Sequence, residues 1–281
     1  MNSGTMSGAA LSLGAAGVWG GGDFAGGIAA KRASVFRVVA IAHAFGLVLM
    51  LVLVWLSGER VPPLASFGWG VVAGITDALG VAALYKGLST GRMGVVAPVA
   101  SVITAVLPVV FGIGIEGLPG RTQLLGFGLA VVSLWLITRP DGEQGSRRGL
   151  GLALLAGAMF GMLLISGKEA GRYAVLWPLV GARAASTLLM FTIVVFSPRD
   201  TKPLKPALVP ILVSGAFDSI ANAMFIAATR HGRLDVAAVL SSLYPASTVI
   251  LARLLLKEKI SRTQAVGIIG ALIAVALISA R

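Results

Sequence analysis

The chain has 281 residues, of which 57% are hydrophobic and only 12% are charged, and its mean hydropathy is +0.92. Soluble domains carry about 25% charged residues, so this composition excludes an ordinary water-soluble domain. The formal charge of +12 comes from Lys and Arg residues that are scattered through short loops, which argues against a nucleic-acid-binding face.

Apolar runs follow one another along the chain, and each is long enough to cross a bilayer as a helix. Because they lack the two-residue alternation of strands, they predict helices rather than a barrel. The first half contains five runs, at about 8–30, 36–57, 67–89, 93–115 and 120–138. After a polar linker at 139–148, the second half contains five more, at about 149–169, 176–197, 207–229, 233–256 and 261–280. The sequence therefore predicts an all-α integral membrane protein with ten transmembrane helices. Residues 1–9 contain no Lys or Arg, so we expect the first run to be a retained helix.

The segment 74–126 recurs about half a chain later, with small and polar residues in register. Gly74 falls on Gly215 and Asp77 falls on Asp218. This self-similarity indicates one unit used twice, at 1–141 and 142–281. Because each unit contains an odd number of crossings, the second must lie upside down relative to the first, as in inverted-repeat transporters. A duplicated bundle without a transport path is the alternative.

Three acidic residues lie well inside predicted helices, away from the helix ends, where an ionisable group is costly and is a functional candidate. Asp77 and Asp218 lie near the middle of the third and eighth helices, and Asp23 lies about a turn beyond the centre of the first. An acid in such a place can carry protons that are coupled to transport, or it can form a fixed hydrogen bond between helices. Both interpretations stay open.

Six further residues are candidates for lining a substrate cavity. Trp19 precedes three glycines near the centre of the first helix, where its ring can stack on a substrate or pack against lipid. Arg183, in the first turns of the seventh helix, can pair with an anionic substrate group or extend to the membrane surface. His43 can bind substrate or be a satisfied histidine of the bundle. The remaining candidates offer hydroxyl or amide groups: Tyr85, Asn222 and Tyr244.

Proline and glycine residues interrupt several predicted helices. Pro98 and Pro108 in the fourth helix and Pro245 in the ninth free backbone carbonyl groups and favour kinks. Such interruptions suit a protein that alternates between two packings. Signals for catalysis are lacking, since the chain has two histidines, no cysteine and no H-E-x-x-H, G-x-S-x-G or phosphate-binding glycine loop. We therefore expect neither enzyme activity nor a metal or cofactor.

The last two helices carry a pattern that is found in a known family. Leu240–Pro245 precedes Lys257-Glu258-Lys259 and Gln264-x-x-Gly267, and Gly17-Val18-Trp19-Gly20 lies in the first helix. The chain resembles the EamA family of the drug/metabolite transporter superfamily, and within it the bacterial aromatic amino acid exporters. The resemblance implies a secondary transporter that exports amino acids or related small metabolites through a cavity between its halves, which we expect to work by alternating access. Drugs, nucleotide-sugars and other metabolites are alternative cargoes, and a non-transporting scaffold is the alternative class.

The resemblance also implies a multi-pass protein of the bacterial inner membrane with both termini in the cytoplasm. Lys and Arg are about twice as frequent in the loops on the side opposite the termini, which by the positive-inside rule would place the termini outside. We take the family orientation as the prediction. The expected partners are the lipid bilayer, a small-molecule substrate and, if transport is coupled, protons. Whether the protein is a monomer or a homo-oligomer stays open.

Overall fold

The structure, a computed structural model, describes residues 3–90, 93–138, 149–197, 204–256 and 261–279. These residues form α-helices and a short 3₁₀ turn at Lys205–Ala207, and none of them forms a strand. The all-α prediction is confirmed for this part of the chain. The helices are α1 (Ser3–Arg32), α2 (Val35–Ser57), α3 (Leu64–Thr90), α4 (Met93–Glu116), α5 (Arg121–Thr138), α6 (Leu150–Ala170), α7 (Leu176–Phe196), α8 (Leu208–His231), α9 (Leu234–Ser241), α10 (Tyr244–Leu256) and α11 (Arg262–Ser279).

Within the described residues, five helical segments are long and apolar enough to cross a membrane: Val35–Ser57, Leu64–Lys86, Leu150–Ala170, Leu176–Phe196 and Lys205–His231. Three more are apolar but shorter: Ala100–Glu116, Arg121–Ile137 and Arg262–Ile278. This pattern supports a multi-pass membrane protein. The count of ten crossings stays a prediction, and the predicted boundary between residues 141 and 142 lies outside the described residues.

The predicted ninth helix, 233–256, is divided into α9 and α10 by a break at Ser242 and Leu243. Pro245 has no N–H to continue the helical ladder, and its ring crowds the preceding turn. The N–H groups of the two break residues donate instead to carbonyl groups of α9, over 2.9 and 3.4 Å. Pro108, in contrast, lies inside the continuous helix α4. The break exposes the end of α9 to the centre of the bundle.

Each half of the chain packs mainly on the other half. Helix α1 packs on α8 as α6 packs on α3, and α5 packs on its own counterpart, α11. The contacts are reciprocal in detail. A Cβ atom built at Gly126 would meet Ile278, and one built at Gly267 would meet Ile137, the same pair of positions with the halves exchanged. The two copies therefore contact each other through equivalent surfaces.

The helix ends lie at two ends of the bundle. The Glu116 end, as we name it, is where α4 and α6 finish and where α7 and α9 begin, and Glu116 pairs there with Lys168 at the end of α6. The Arg32 end is the opposite one, where α1 finishes and α8 begins. There Arg32 donates from Nη1 to the carbonyl oxygen of Pro206 over 2.8 Å. The site described below lies between the two ends.

Candidate functional site

Three charged residues that the sequence places inside helices meet at mid-length of the bundle. Arg183 of α7 donates from Nη1 to Asp77 of α3 over 2.9 Å, and its Nη2 lies 2.6 Å from an oxygen of Asp218 of α8. The arginine side chain is only 2% exposed, so it does not extend to the membrane surface. One guanidinium group therefore joins the two repeat-equivalent acids, and it connects the first half of the chain to the second.

Two close helix–helix contacts, of α3 with α7 and of α8 with α2, position Asp77, Arg183 and Asp218. A Cβ atom built at Gly74 would overlap the backbone of Ala182, and one built at Gly215 would overlap the backbone of Ala42. Only a glycine lets the two backbones come so near. Gly74 and Gly215 are repeat equivalents, so α3 meets α7 in the same way that α8 meets α2.

The same geometry makes His43 the counterpart of Arg183. His43 directly follows the contact at Ala42, as Arg183 directly follows the contact at Ala182. The imidazole is 3% exposed, and its Nε2 lies 3.8 and 3.9 Å from the two bridged carboxylates, which is too far for a hydrogen bond. Its Nδ1 is buried without a hydrogen-bond partner. The two halves thus carry a paired guanidinium and an unpaired imidazole at matching places.

Asp218 has further partners. The indole Nε1 of Trp19 donates to its Oδ1 over 3.1 Å. The amide of Asn222, one turn later on α8, donates to the same oxygen over 3.1 Å and to the Asp218 carbonyl over 2.8 Å. The Trp19 ring also packs against Phe225 with ring centroids 5.9 Å apart. Asp218 is therefore fixed from α1 and α7 as well as from its own helix.

A cavity lies beside this cluster, at mid-length of α1, α3, α4, α6 and α8, and we name it the central cavity. It contains about 450 Å³ of space, including the part that is open to solvent. Its wall combines carboxyl groups, aromatic rings and hydroxyl groups, and no basic side chain of the described residues lines it. The lining residues are Trp19, Asp23, Asp77, Val81, Thr104, Phe160, Leu163, Leu164, Asp218, Ser241, Ser242 and Tyr244.

Two smaller spaces adjoin the central cavity. The side cavity extends toward the Arg32 end, and its wall includes Asp23, His43, Tyr85 and Ser214. The rear space extends toward the Glu116 end, and Arg183 and Asn222 line it together with Ala73, Gly74, Asp77, Leu163, Gly167, Leu179, Ala182, Phe225 and Ile226. Asp77 lines both the central cavity and the rear space. The Arg183 bridge therefore lies on the route from the central cavity to the Glu116 end.

The structure brings the sequence-predicted site residues to one centre but distributes them over three spaces. Trp19 and Tyr244 line the central cavity with all three acids, His43 and Tyr85 line the side cavity, and the rear space receives the remaining two. Their functional roles stay predictions. Phe160, the repeat equivalent of Trp19, also lines the central cavity.

His43, Asp77 and Asp218 also have the chemistry of metal ligands, with one ligand atom of each lying within 4.8 Å of the others. The guanidinium of Arg183 already lies against oxygens of both carboxylates. Its fixed positive charge would repel a metal ion placed among the same atoms. The donor set therefore suits an arginine better than a metal ion.

Sequence reasoning missed a second charged cluster, at the Glu116 end. Arg233 donates to the carbonyl groups of Glu116 and Gly117 over 2.9 and 2.6 Å, and it pairs with the fully buried Asp235 over 2.7 Å. The carboxylate of Glu116 accepts the backbone N–H of Leu234 over 3.2 Å and pairs with Lys168. Glu116 therefore caps the start of α9 and pairs with the end of α6.

Glu59 closes another part of the same end, and the sequence analysis did not single it out. Its carboxylate accepts the backbone N–H groups that begin α7, from Val175, Leu176 and Trp177, over 2.7, 2.9 and 3.0 Å. The indole of Trp177 donates back to the Glu59 carbonyl over 2.9 Å. A negative charge at a helix N-terminus is stabilising because it faces the unpaired N–H groups. In the sequence, Glu59 is a single acid in the loop before α3, and no motif around it indicates that it caps a helix.

Comparison with known proteins agrees with this architecture. One family model, that of the EamA-like transporter family, matches residues 6–139 and again residues 147–280. No curated protein sequence matches the chain. Among solved structures, 29 chains match, and one crystal structure of a protein aligns with a TM-score of 0.80 and 15% identity over 97% of this chain and 98% of that one. At that identity the likeness shows a shared fold alone. Because the family model covers nearly all of the chain in two copies, the protein belongs to the EamA-like transporter family.

Proposed function

We propose that this transporter exports amino acids, aromatic ones among them, or related small metabolites by alternating access through the central cavity. The observation that carries the proposal is the position of that cavity, at mid-length of the helices and between the two halves. A secondary transporter needs its substrate site near the bilayer midplane, where each side of the membrane can reach it in turn. A non-transporting scaffold would give no reason for carboxyl groups around such a space.

The reciprocal contacts support ten crossings in two inverted halves. Each half is matched by the family model, and equivalent positions contact each other across the halves, as Gly126 with Ile278 and Gly267 with Ile137. If each half crosses the membrane five times, the second half is turned over relative to the first. The central cavity then lies near the two-fold axis that relates the two halves. In alternating access each half adopts in turn the conformation that the other half had.

The arrangement of the spaces supports a form that is open toward the Arg32 end and closed toward the Glu116 end. The side cavity leads from the centre toward the Arg32 end. On the other route lie the Arg183 bridge, the rear space and the contacts of Glu59 and Glu116. We propose that these contacts separate when the substrate passes to the Glu116 end.

The orientation follows from the position of the N-terminus. Helix α1 begins at the Glu116 end, because it finishes at Arg32. With cytoplasmic termini in a bacterial inner membrane, the side cavity lies on the periplasmic side of the centre. A reporter fused at Arg281 tests this orientation, and periplasmic reporter activity would contradict it.

Reconstitution into liposomes tests the function. Purified protein should take up labelled aromatic amino acids or their amines, and protein-free liposomes should not. Imposing a pH gradient distinguishes proton-coupled transport, in which Asp23, Asp77 or Asp218 would exchange protons, from facilitated diffusion, in which the gradient has no effect. Absence of uptake for every amino acid and amine would contradict the proposal.

A further inference from the structure

We infer that the cavity recognises its substrate through a positively charged ammonium group bound at Asp23, and that no Lys or Arg of the described residues lines it to bind a substrate carboxylate. The preferred cargo is then an organic amine, one of the related small metabolites of the proposed function, ahead of a full amino acid or an anion. This inference rests on the proposed transport function, and it narrows the substrate class of the same site.

Asp23 is the carboxyl group of the cavity that the protein leaves without a partner. Asp77 and Asp218 are both bridged by Arg183, and Asp218 also accepts from Trp19. No described residue forms a hydrogen bond or an ion pair with Asp23, although it is half-buried and lines both the central and the side cavity. A carboxylate withdrawn from water without a partner is unfavourable, and a cation from the substrate would supply that partner.

His43 gives an independent indication of a ligand. His43 lines the side cavity together with Asp23. Its side chain is only 3% exposed, and its Nδ1 has no hydrogen-bond partner among the described residues. A buried polar atom without a partner calls for an explanation, such as a ligand group that is absent from the protein itself. An ammonium group has three N–H donors. It therefore has donors for the Asp23 carboxyl group and for a further acceptor on the wall of the side cavity.

A substrate carboxylate finds no comparable partner. Arg183 lines the rear space and neither of the two cavities, and both of its terminal nitrogens are engaged by carboxylates. The hydroxyl groups at the end of α9 are engaged as well, since Ser241 donates to a backbone carbonyl of α1 over 3.2 Å and Ser242 to one of α9 over 2.9 Å. The described walls of the two cavities therefore offer a substrate carboxylate carboxyl and hydroxyl groups but no Lys or Arg.

The rest of the wall suits the organic part of an amine. Trp19, Phe160 and Tyr244 line the central cavity. Aromatic faces attract organic cations, and the indole of tryptophan does so best. The combination of a free carboxylate and several rings therefore favours amines that carry an aromatic or apolar body.

Three ligands that share one phenyl ring test the inference: phenethylamine, phenylalanine and 3-phenylpropanoate. They carry the ammonium group alone, both charged groups, and the carboxylate alone. Binding is measured on the full-length protein in lipid nanodiscs with tritiated phenethylamine, and the other two ligands are used as competitors. We expect phenethylamine to bind most tightly, phenylalanine more weakly, and 3-phenylpropanoate at least about tenfold more weakly than the amine.

Asp23 variants identify the group that binds. Asp23→Asn should weaken phenethylamine binding by about tenfold or more, and Asp23→Glu, which keeps the charge, should recover part of it. Glu169→Gln, which removes an acid that pairs with Arg172 away from the cavities, should bind like the unchanged protein. Thermal unfolding of each variant shows whether it is folded. Equal binding of the amine and the propanoate, unchanged binding by Asp23→Asn, or no binding of any of the three would overturn the inference.

The same ligands separate this inference from the transport proposal. If phenethylamine binds through Asp23 but liposomes show no uptake, the recognition stands and the transport proposal fails. If liposomes take up 3-phenylpropanoate as fast as the amine, the transport proposal stands and the recognition fails.

Discussion

Charged side chains join the two halves at the centre of the bundle and at the Glu116 end, and the two places differ in how completely the charges are satisfied. At the Glu116 end, the carboxylate of Glu59 accepts three backbone N–H groups, and the buried carboxylate of Asp235 is engaged by Arg233. At the centre, Nδ1 of His43 and Nε of Arg183 are buried without hydrogen-bond partners. Charged groups whose hydrogen bonds are complete stabilise one packing of the helices. Buried polar groups without partners are instead typical of functional sites. The comparison therefore indicates an end that is held closed in this form and a centre whose charged groups can change partners.

Removing the central guanidinium should have the largest effect. Arg183→Met leaves Asp77 and Asp218 buried without their cation, and breaking a buried ion pair from one side costs about 3–5 kcal/mol. We expect a large loss of thermal stability and of folded protein, measured by thermal unfolding in detergent. Arg172→Met, at a side chain that is 60% exposed, should change stability little.

A combined variant separates stability from transport at the centre. Arg183→Met with Asp77→Asn and Asp218→Asn removes all three charges, and replacing a whole buried ion cluster is often neutral or stabilising. This variant should regain most of the stability but not the transport activity. Full transport by the combined variant would show that the bridge serves folding only.

The glycine contacts that place the central charges should have the next largest effect. Gly74→Val would press a side chain into the backbone of Ala182, next to Arg183, and overpacking of this kind costs about 1–3 kcal/mol. Gly68→Val in the same helix is the matched control, because a Cβ atom there meets nothing within 4 Å. Thermal unfolding and transport are measured for both variants. Equal behaviour would mean that α3 and α7 do not need their close approach.

A cap at the Glu116 end should have a smaller effect. Glu59→Gln removes the negative charge that accepts the first N–H groups of α7, and loss of a helix cap costs about 0.5–2 kcal/mol. We expect a modest fall in the melting temperature and unchanged binding of phenethylamine, since Glu59 lies away from the cavities. A loss of binding as large as that expected for Asp23→Asn would contradict a cap that acts apart from the binding site.

Hydropathy was sufficient to locate most helices, because lipid leaves a spanning backbone few alternatives to the helix. The third helix was predicted at 67–89 and lies at Leu64–Thr90. The break before Pro245 was not predicted, although a kink was expected there. The hydropathic run continues across it with two serines but no charged residue to mark an end. The repeat made Asp77 and Asp218 a related pair, and geometry then showed that they share one arginine.

The charges of the Glu116 end could not be found in the same way. A repeat search detects only positions that have the same residue in both halves. Asp235 corresponds to Gly94 and Lys168 to Gly27, so neither charge is repeated. Their roles come from contacts between residues far apart in the chain, such as Lys168 with Glu116. The sequence also could not predict that Asp23 lacks an ion-pair partner among the described residues. That depends on the fold, in which Arg183 pairs with Asp77 and Asp218.

The ion pair between Lys168 and Glu116 should have the smallest effect on stability and a visible effect on access. Both side chains are largely withdrawn from solvent, at 20% and 18% exposed. When the lysine is lost, however, Glu116 keeps the backbone N–H of Leu234 and the nearby Arg233 as partners. If the pair helps to close the Glu116 end, Lys168→Met should make the rear space easier to reach from that end. Because the chain has no cysteine, a single thiol introduced by Ala73→Cys in the rear space reports this access by its rate of labelling with an aqueous maleimide.

The matched control is Lys31→Met, which removes an exposed lysine near the Arg32 end. Labelling at position 73 should be slow in the parent, equally slow with Lys31→Met, and faster with Lys168→Met. Labelling that is already fast in the parent would mean that the Glu116 end is open. Labelling that Lys168→Met leaves unchanged would assign the closure to the contacts of Glu59 and Arg233, which keep their partners in this variant.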